Sequence, residues 1–167
     1  MKRKRLRIKI LVIGEGPNHK EKSELGYTGV IGSELAALMD VNRKQYNSLV
    51  ITRNLLSCYC GEWEGKLMLP ADIAKRQAKL IEPLMKNRIS ILIGDRVARA
   101  FGYTGKHYER FGCWCESYPS PEHPVGFIKA IFRLPHPVYN KRWWNTTGNG
   151  AKAHAYLRTI ARACMLK

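Results

Sequence analysis

The sequence predicts an α/β fold in three layers, with helices on both faces of a central, mostly parallel four-stranded sheet. Four short apolar runs have the length of buried strands, and segments with helical spacing alternate with them. The first and third runs stop at a glycine, as strands do at the ligand-binding edge of an α/β sheet. With 167 residues, 45% of them hydrophobic, the chain suits one domain with a substantial core.

The first half of the chain contains two predicted strands with a helix between them. Both strands are rich in apolar residues, and Ser33 is a suitable N-cap for the helix. In chain order the segments are strand Leu6–Ile13, helix Gly32–Asp40, strand Ser48–Thr52 and an irregular loop over Cys58–Leu69. The first strand runs into a glycine-rich turn and the second leads into Asn54.

The second half begins with a predicted amphipathic helix, for which Asp72 is a suitable N-cap and whose approaching end Pro83 marks. Its apolar face is predicted from residues that recur at helical spacing: Ile73, Gln77, Leu80, Ile81 and Leu84. The remaining segments are strand Ile89–Ile93, helix Asp95–Phe101, a polar loop over Gly102–Pro124, strand Val125–Leu134 and helix Ala151–Met165. No repeat or linker divides the chain, so we expect one domain over residues 1–167.

The chain is strongly basic, with 29 Lys and Arg against 13 Asp and Glu and a net charge of +16. This excess favours a polyanionic partner, because each Lys or Arg that meets a phosphate releases condensed counterions. Aromatic residues, which stack on unpaired bases, stand among the basic ones in Lys106-His107-Tyr108 and Arg142-Trp143-Trp144. We expect a nucleic acid partner, with a solvated basic surface, a ribosomal role or a membrane-surface role as the alternatives.

Neither a membrane span nor a signal peptide is expected. No run approaches the ~20 apolar residues of a membrane-spanning helix. The basic tail Met1–Arg5 is followed by an apolar stretch that Arg7 and Lys9 interrupt, and no small-residue cleavage site follows. We therefore expect an intracellular, cytoplasmic monomer with no membrane partner.

Three polar residues follow three of the predicted strands: Glu15, Asn54 and His136. Because parallel strands end at one edge of a sheet, where α/β folds bind ligands, we expect these side chains to line one crevice. The backbone of Gly14 and Gly16 would add peptide N–H donors to a carboxamide and an imidazole. Taken singly, each side chain also fits a structural role as a cap, a turn residue or a surface group.

Several segments occur in an order that one family shares. They are Gly14-Glu15-Gly16-Pro17 with Gly26–Gly32, then Ile51–Cys58, then Ile81–Ala98, and finally Leu134-Pro135-His136-Pro137. Together they resemble the motifs of the uracil-DNA glycosylase superfamily, closest to its iron–sulfur type. The resemblance covers most of the chain, from about Ile8 to Asn140.

The chain departs from that type at several positions. The cysteine pair that precedes the first strand in iron–sulfur members is missing, so no cluster is expected, and Cys58 matches one cluster position at most. Tyr27 is the nearest substitute for the phenylalanine that stacks on the flipped base. Gly16 stands where other branches carry an Asp or Asn that positions water, and Val138 replaces a serine in the last motif.

The resemblance implies hydrolysis of the N-glycosidic bond of uracil, or of a modified pyrimidine, flipped out of DNA. Asn54 would pair with the base edge, assisted by Tyr27 and the turn glycines, and His136 would stabilise negative charge on the departing base. Glu15 would orient the attacking water or place its charge near the cationic sugar. As an alternative, the Glu15 carboxylate would bond to turn amides and fix the loop.

The same resemblance indicates which residues contact the DNA. Tyr139 is the candidate wedge that fills the vacated place in the base stack. Five further residues are candidates for contacts with the flanking backbone: Arg53, Arg110, Asn140, Lys141 and Arg142. Trp143 and Trp144 belong either to this group or to the core against the last helix.

The cysteines form two C-x-C pairs in predicted loops, Cys58 with Cys60 and Cys113 with Cys115. Four thiolates could hold a tetrahedral Zn²⁺, but structural zinc sites usually have two to four residues between their cysteines. We therefore expect free thiols and no cofactor, and keep zinc as the alternative.

The sequence as a whole predicts a DNA glycosylase acting on uracil or a modified pyrimidine. Two alternatives stay open. One is an enzyme of the same fold that acts on a hypermodified base. The other is a catalytically inactive DNA-binding module that has kept the fold.

Overall fold

A computed structural model describes residues 9–17, 30–57, 60–63, 66–67, 69–86, 88–103, 114–120, 123–137 and 141–165. The strands are β1 Ile10–Gly14, β2 Val50–Asn54, β3 Glu62–Trp63, β4 Lys66–Leu67, β5 Ile89–Ile93, β6 Trp114–Ser120 and β7 His123–Leu134. The helices are α1 Val30–Leu38, α2 Arg43–Leu49, α3 Ala71–Ile81, α4 Asp95–Ala100, α5 Lys141–Asn145 and α6 Asn149–Met165. A 3₁₀ turn, Glu82–Met85, follows α3 directly.

The main sheet has the strand order β2-β1-β5-β7-β6. The first four strands are parallel, and β6 pairs antiparallel with β7. In the centre of the sheet, Ile10 lies beside both Val50 and Ile89. The predicted α/β class, with four mostly parallel strands, is therefore confirmed.

The apolar run of β1 supplies two separate hydrophobic clusters. Ile10 and Val12 belong to a cluster that contains residues of α1, α2 and α6. Leu11 and Ile13 belong to another that contains residues of α3 and α4. Successive side chains of a strand point to opposite faces, and all four residues are fully buried. This is why a strand buried on both faces is a continuous apolar run rather than an alternating one.

The loop predictions were wrong at two places. The segment Gly102–Pro124 contains β6, which adds a fifth strand to the sheet, and the segment Cys58–Leu69 contains the antiparallel pair β3–β4. The sequence of β6, which includes Pro119, lacks the apolar run used to find strands. Edge strands can carry proline and polar residues, and β6 is specified by its pairing with β7 rather than by an apolar run.

Helix α2 was not predicted. Because Ser48 and Leu49 belong to this helix, β2 begins at Val50, two residues later than the predicted strand Ser48–Thr52. The helix starts with a capping box. The Asn42 side chain accepts from the backbone N–H of Gln45, and the Gln45 side chain accepts from the backbone N–H of Asn42, both at 2.9 Å. An Asn followed three residues later by Gln is a readable start signal for a helix.

The buried face of α3 differs from the predicted one. Leu80 is 70% exposed and Leu84 is 37% exposed, so neither belongs to the core. The buried residues of α3 and the 3₁₀ turn are instead Ala74, Ala78, Ile81 and Met85. Two alanines allow a helix to lie close to its sheet. The four residues stand at i, i+4, i+7 and i+11, the spacing of one helix face, so Met85 continues the face that Ala74 begins and Leu84 does not.

We expect Asn42→Ala to lower the free energy of unfolding by about 1 kcal/mol, because the variant leaves a helix N–H without its side-chain acceptor. Urea denaturation measures this change. Asn47→Ala is the matched control, since Asn47 is exposed within the same helix. Equal stability of the two variants would contradict the capping account.

Candidate functional site

The candidate site lies where the parallel strands end. Gly14, the last residue of β1, is in register with Asn54, the last residue of β2. On the other side, the backbone N–H of Gly94 donates to the carbonyl of Leu134 at 2.8 Å, which joins the end of β5 to that of β7. Since β5 lies between β1 and β7, the ends of β1 and β7 are about 10 Å apart. Glu15 and His136 therefore come after strands that end at one edge of the sheet, and Asn54 is the last residue of a strand at that edge.

The turn after β1 is bonded to the segment after β2. The backbone N–H groups of Leu55 and Leu56 donate to the carbonyls of Gly14 and Glu15, each at 2.9 Å. Both leucine side chains are buried, at 1% and 3% exposure. Parallel pairing thus continues one step past the strands, and it fixes the backbone of Asn54 relative to that of Glu15.

The carboxylate of Glu15 is held by Arg96, the second residue of α4. Arg96 Nε donates to Oε1 at 3.0 Å, and Nη2 donates to Oε2. The Glu15 side chain is 23% exposed and that of Arg96 is 40% exposed. A two-pronged pair of this kind fixes the plane of the carboxylate as well as its position.

This partner was not predicted. From the sequence, Glu15 was expected to orient water, to place its charge near the sugar or to bond to turn amides, whereas its carboxylate is paired with a guanidinium. Arg96 lies 81 residues further along the chain, so no local pattern connects the two. The available signal was position, since Arg96 follows β5 closely at the same edge of the sheet.

The turn between β5 and α4 brings the backbone close to Glu15. Gly94 has φ of +93°, a conformation that L side chains rarely adopt. A Cβ atom at Gly94 would lie 3.5 Å from Glu15 Oε1. Any other residue here would be strained by its backbone rather than by the space available.

The carboxamide of Asn54 has an unused donor. Its Nδ2 atom is buried and has no hydrogen-bond partner within the part of the chain that the structure describes. A buried polar group without a partner costs free energy, so such groups are rare and often belong to functional sites. A ligand with an acceptor oxygen at this edge would remove that cost.

His136 lies between two prolines, two residues beyond the end of β7, and its side chain is half-buried. Burial lowers the pKa of its imidazole from 6.5 to about 4. At pH 7 the ring is therefore neutral and has one N–H donor and one acceptor nitrogen.

Helix α5 supports the backbone of His136. The indole N–H of Trp144 donates to the His136 carbonyl at 3.3 Å. Trp143 and Trp144 meet edge to face with ring centroids 5.1 Å apart, and both pack against the cluster that contains residues of α6. Packing against the last helix, one of the two expected roles, is therefore observed for both tryptophans. The backbone of Trp144 lies close to Gly150, since a Cβ at Gly150 would be 3.1 Å from the Trp144 carbonyl oxygen.

Of the predicted DNA-contacting residues, three are described. Lys141 and Arg142 are exposed on α5, a few residues beyond His136. Arg53 is half-buried, and its Nη1 donates to the carbonyl of Thr52 at 2.8 Å. Four predicted site residues lie outside the described part of the chain: Tyr27, Arg110, Tyr139 and Asn140.

The structure describes two of the four cysteines that could form the alternative zinc site. Cys58 and Cys113 lie outside the described residues, Cys60 is half-buried, and Cys115 lies on β6. Within the described ranges, no group of three or more His, Cys, Asp or Glu side chains could hold a metal ion. Because two of the four cysteines lie outside those ranges, the expectation of free thiols stays a prediction.

An apolar cavity lies between β7 and α6. Its volume is about 10 Å³, which holds roughly one water molecule and no nucleobase. The lining residues are Ile91, Phe132, Arg133, Leu134, Ala153, Tyr156, Leu157 and Ile160. We do not consider it part of the site.

Comparison with known proteins adds no assignment. No protein-family model matches the chain, and no curated protein matches it. A separate observation concerns membranes: none of the helices in the described ranges combines the length and the apolar composition needed to cross one.

The lowered pKa of His136 predicts a pH-dependent stability. Between pH 6.5 and about 4 the unfolded chain binds a proton on this ring that the folded protein does not. Proton binding therefore favours the unfolded chain in this range, so the free energy of unfolding is highest above pH 6.5 and decreases as the pH falls towards 4. His136→Gln should make the loss in free energy of unfolding between pH 7 and pH 4.5 smaller by about 2 kcal/mol, as measured by urea denaturation. Identical pH slopes for wild type and variant would contradict the burial of this ring.

Proposed function

We propose that this chain is a DNA glycosylase that hydrolyses the bond between deoxyribose and uracil, or a modified pyrimidine, flipped out of DNA. The observation that carries the proposal is the amide nitrogen of Asn54, which is buried without a hydrogen-bond partner among the described residues, while Asn54 itself is in register with the end of β1. A neutral imidazole and a fixed carboxylate follow other strands at the same edge. The ordered motifs of the sequence, which resemble uracil-DNA glycosylases, support the same function.

Asn54 would read the base. Its Nδ2 would donate to O4 of a uracil-like ring, and its Oδ1 would accept from N3–H. Because the donor is already buried without a partner in the described structure, pairing with the base exchanges an unsatisfied group for a satisfied one. A base with an amino group at position 4 would present a donor to this nitrogen instead, and would be rejected.

His136 would act on the leaving group. Cleavage of the N-glycosidic bond places negative charge on the base, and a fixed N–H donor near O2 stabilises that charge. With a pKa of about 4, the ring is neutral at physiological pH. Its contribution is then a hydrogen bond to the developing anion rather than transfer of a proton that it already carries as a cation.

Glu15 would orient the attacking water. Each carboxylate oxygen accepts one hydrogen bond from Arg96, and further lone pairs stay available to accept from water. The adjacent guanidinium offsets the negative charge of Glu15, which weakens direct electrostatic stabilisation of a cationic sugar. Of the two catalytic roles predicted for Glu15, the ion pair therefore favours the water-orienting one.

DNA would be bound mainly through charge. The chain carries a net charge of +16, and the exposed Lys141 and Arg142 lie close in sequence to His136. Contacts of this type hold the phosphate backbone and position the duplex or strand without reading its sequence. The affinity should fall steeply as salt is added.

The Glu15–Arg96 pair also favours a second candidate, an inactive DNA-binding module of the same fold. Each oxygen of the Glu15 carboxylate already accepts a hydrogen bond from Arg96, as in an ion pair that serves the structure and takes no part in a reaction. Such a module would bind DNA and extrude or trap a base at Asn54 without cleaving it.

The test uses single-stranded oligonucleotides, each with one uracil or altered pyrimidine, incubated with the protein and then treated with alkali. We expect strand scission at the modified position. Asn54→Ala and His136→Ala should each lower the rate by about 100-fold or more, since each removes a donor aimed at the base. Arg76→Gln is the control, because Arg76 is 73% exposed on α3 and pairs with Asp72.

Intact strands across the whole panel of bases would contradict the proposed activity. If the same protein then binds those oligonucleotides tightly and in a salt-sensitive manner, the inactive module is the correct interpretation. Scission only at a base other than uracil would instead favour the enzyme for a hypermodified base.

A further inference from the structure

A second ion pair lies behind the site and involves a deeply buried charge. Arg133, the second-last residue of β7, has a side chain that is only 1% exposed. Its guanidinium binds the carboxylate of Asp95, the first residue of α4. Burial lowers the pKa of Arg133, as expected where a charge has left water.

A buried charge of this kind is a poor device for stability alone. Removing a guanidinium from water costs as much as its ion pair returns, and apolar residues of similar size often stabilise a fold equally well. Asp95 also pairs with Arg99 at 2.7 Å, an exposed i,i+4 contact within α4. The carboxylate of Asp95 thus already has a cationic partner within its own helix, so Arg133 is not needed to balance its charge.

The position of the pair suggests what it does. From Arg133 the chain continues through Leu134 and Pro135 to His136. From Asp95 it continues directly to Arg96, whose guanidinium holds Glu15. The Arg133–Asp95 pair therefore joins the two halves of the site at the points where they leave the sheet.

One backbone contact runs alongside the pair. The N–H of Gly94 donates to the carbonyl of Leu134 at 2.8 Å. This bond continues the β5–β7 ladder, which pairs Ile93 with Leu134, past its last residues. The Arg133–Asp95 pair adds a side-chain connection one residue away on each segment, and it joins β7 to the first residue of α4 rather than to another strand.

We propose that Arg133 and Asp95 are a positioning pair that sets His136 and the Glu15–Arg96 pair at a fixed separation and orientation. The inference rests on the proposed function of that edge. Neither residue touches the substrate; both act through the side chains that follow them. Loss of the pair should misplace the reacting groups, and misplacements of about 1 Å cost large factors in rate without comparable loss of binding.

The experiment compares Arg133→Met, which removes the buried charge, with Arg133→Lys, which keeps it. Arg99→Gln is the matched control, because it removes the exposed partner of Asp95 and leaves Arg133 in place. Each full-length variant is examined by NMR for the ring resonances of His136 and the side-chain carboxyl resonance of Glu15. Where the wild type cleaves uracil-containing oligonucleotide, kcat and KM are measured as well.

We expect Arg133→Met to shift both resonances and to lower kcat at least about tenfold while KM changes less than about twofold. Arg133→Lys should restore part of kcat, and Arg99→Gln should leave resonances and kcat unchanged. If Arg133→Met is unfolded, Asp95→Asn, which weakens the same pair, is compared with Arg99→Gln in its place. Unchanged resonances in a folded variant overturn the proposal, whatever happens to its stability.

The two proposals fail separately. A wild-type protein without activity on any base overturns the proposed glycosylase, while the resonances of His136 and Glu15 still show whether the pair positions them. An active wild type whose Arg133→Met variant keeps its resonances and kcat overturns the positioning pair alone.

Discussion

The fork of Arg96 around the Glu15 carboxylate is the contact on which the arrangement of the site depends. It joins the turn after β1 to the start of α4, which are separated by 81 residues in the chain. A half-buried carboxylate without this partner would leave an uncompensated charge at the sheet edge. With the partner in place, the carboxylate of Glu15 lies next to the β5–α4 turn, in which Gly94 has a positive φ.

Glu15 and Asn54 differ in whether their polar atoms have partners within the described residues. Glu15 is committed to a partner within the protein, whereas Asn54 has a buried donor that no described residue satisfies. His136 is kept neutral by burial, so it offers a donor without a charge. These groups are the basis of the proposed function, in which the ligand is a base that carries carbonyl oxygens and becomes anionic as it leaves.

The sequence predicts the interior of this fold better than its surface. Strand β5 has the predicted bounds Ile89–Ile93, because a buried parallel strand is a plain apolar run. Strand β6 and helix α2 were missed, since pairing with β7 and a capping box specify them rather than apolar runs. For the site, the strand-end rule predicted Glu15 and His136, which come after β1 and β7, and Asn54, which ends β2. It did not find Arg96, because a contact between distant segments depends on the completed sheet.

The most direct test of this account is a double-mutant cycle on the Glu15–Arg96 pair, with Glu15→Gln, Arg96→Met and the double variant compared by urea denaturation. The account predicts a coupling energy of about 1 kcal/mol or more, since both groups are partly buried and doubly bonded. The exposed pair of Asp72 with Arg76, at 3.3 Å, is the reference and should give a coupling near zero. A Glu15–Arg96 coupling no larger than that reference would contradict the claim that this contact organises the site.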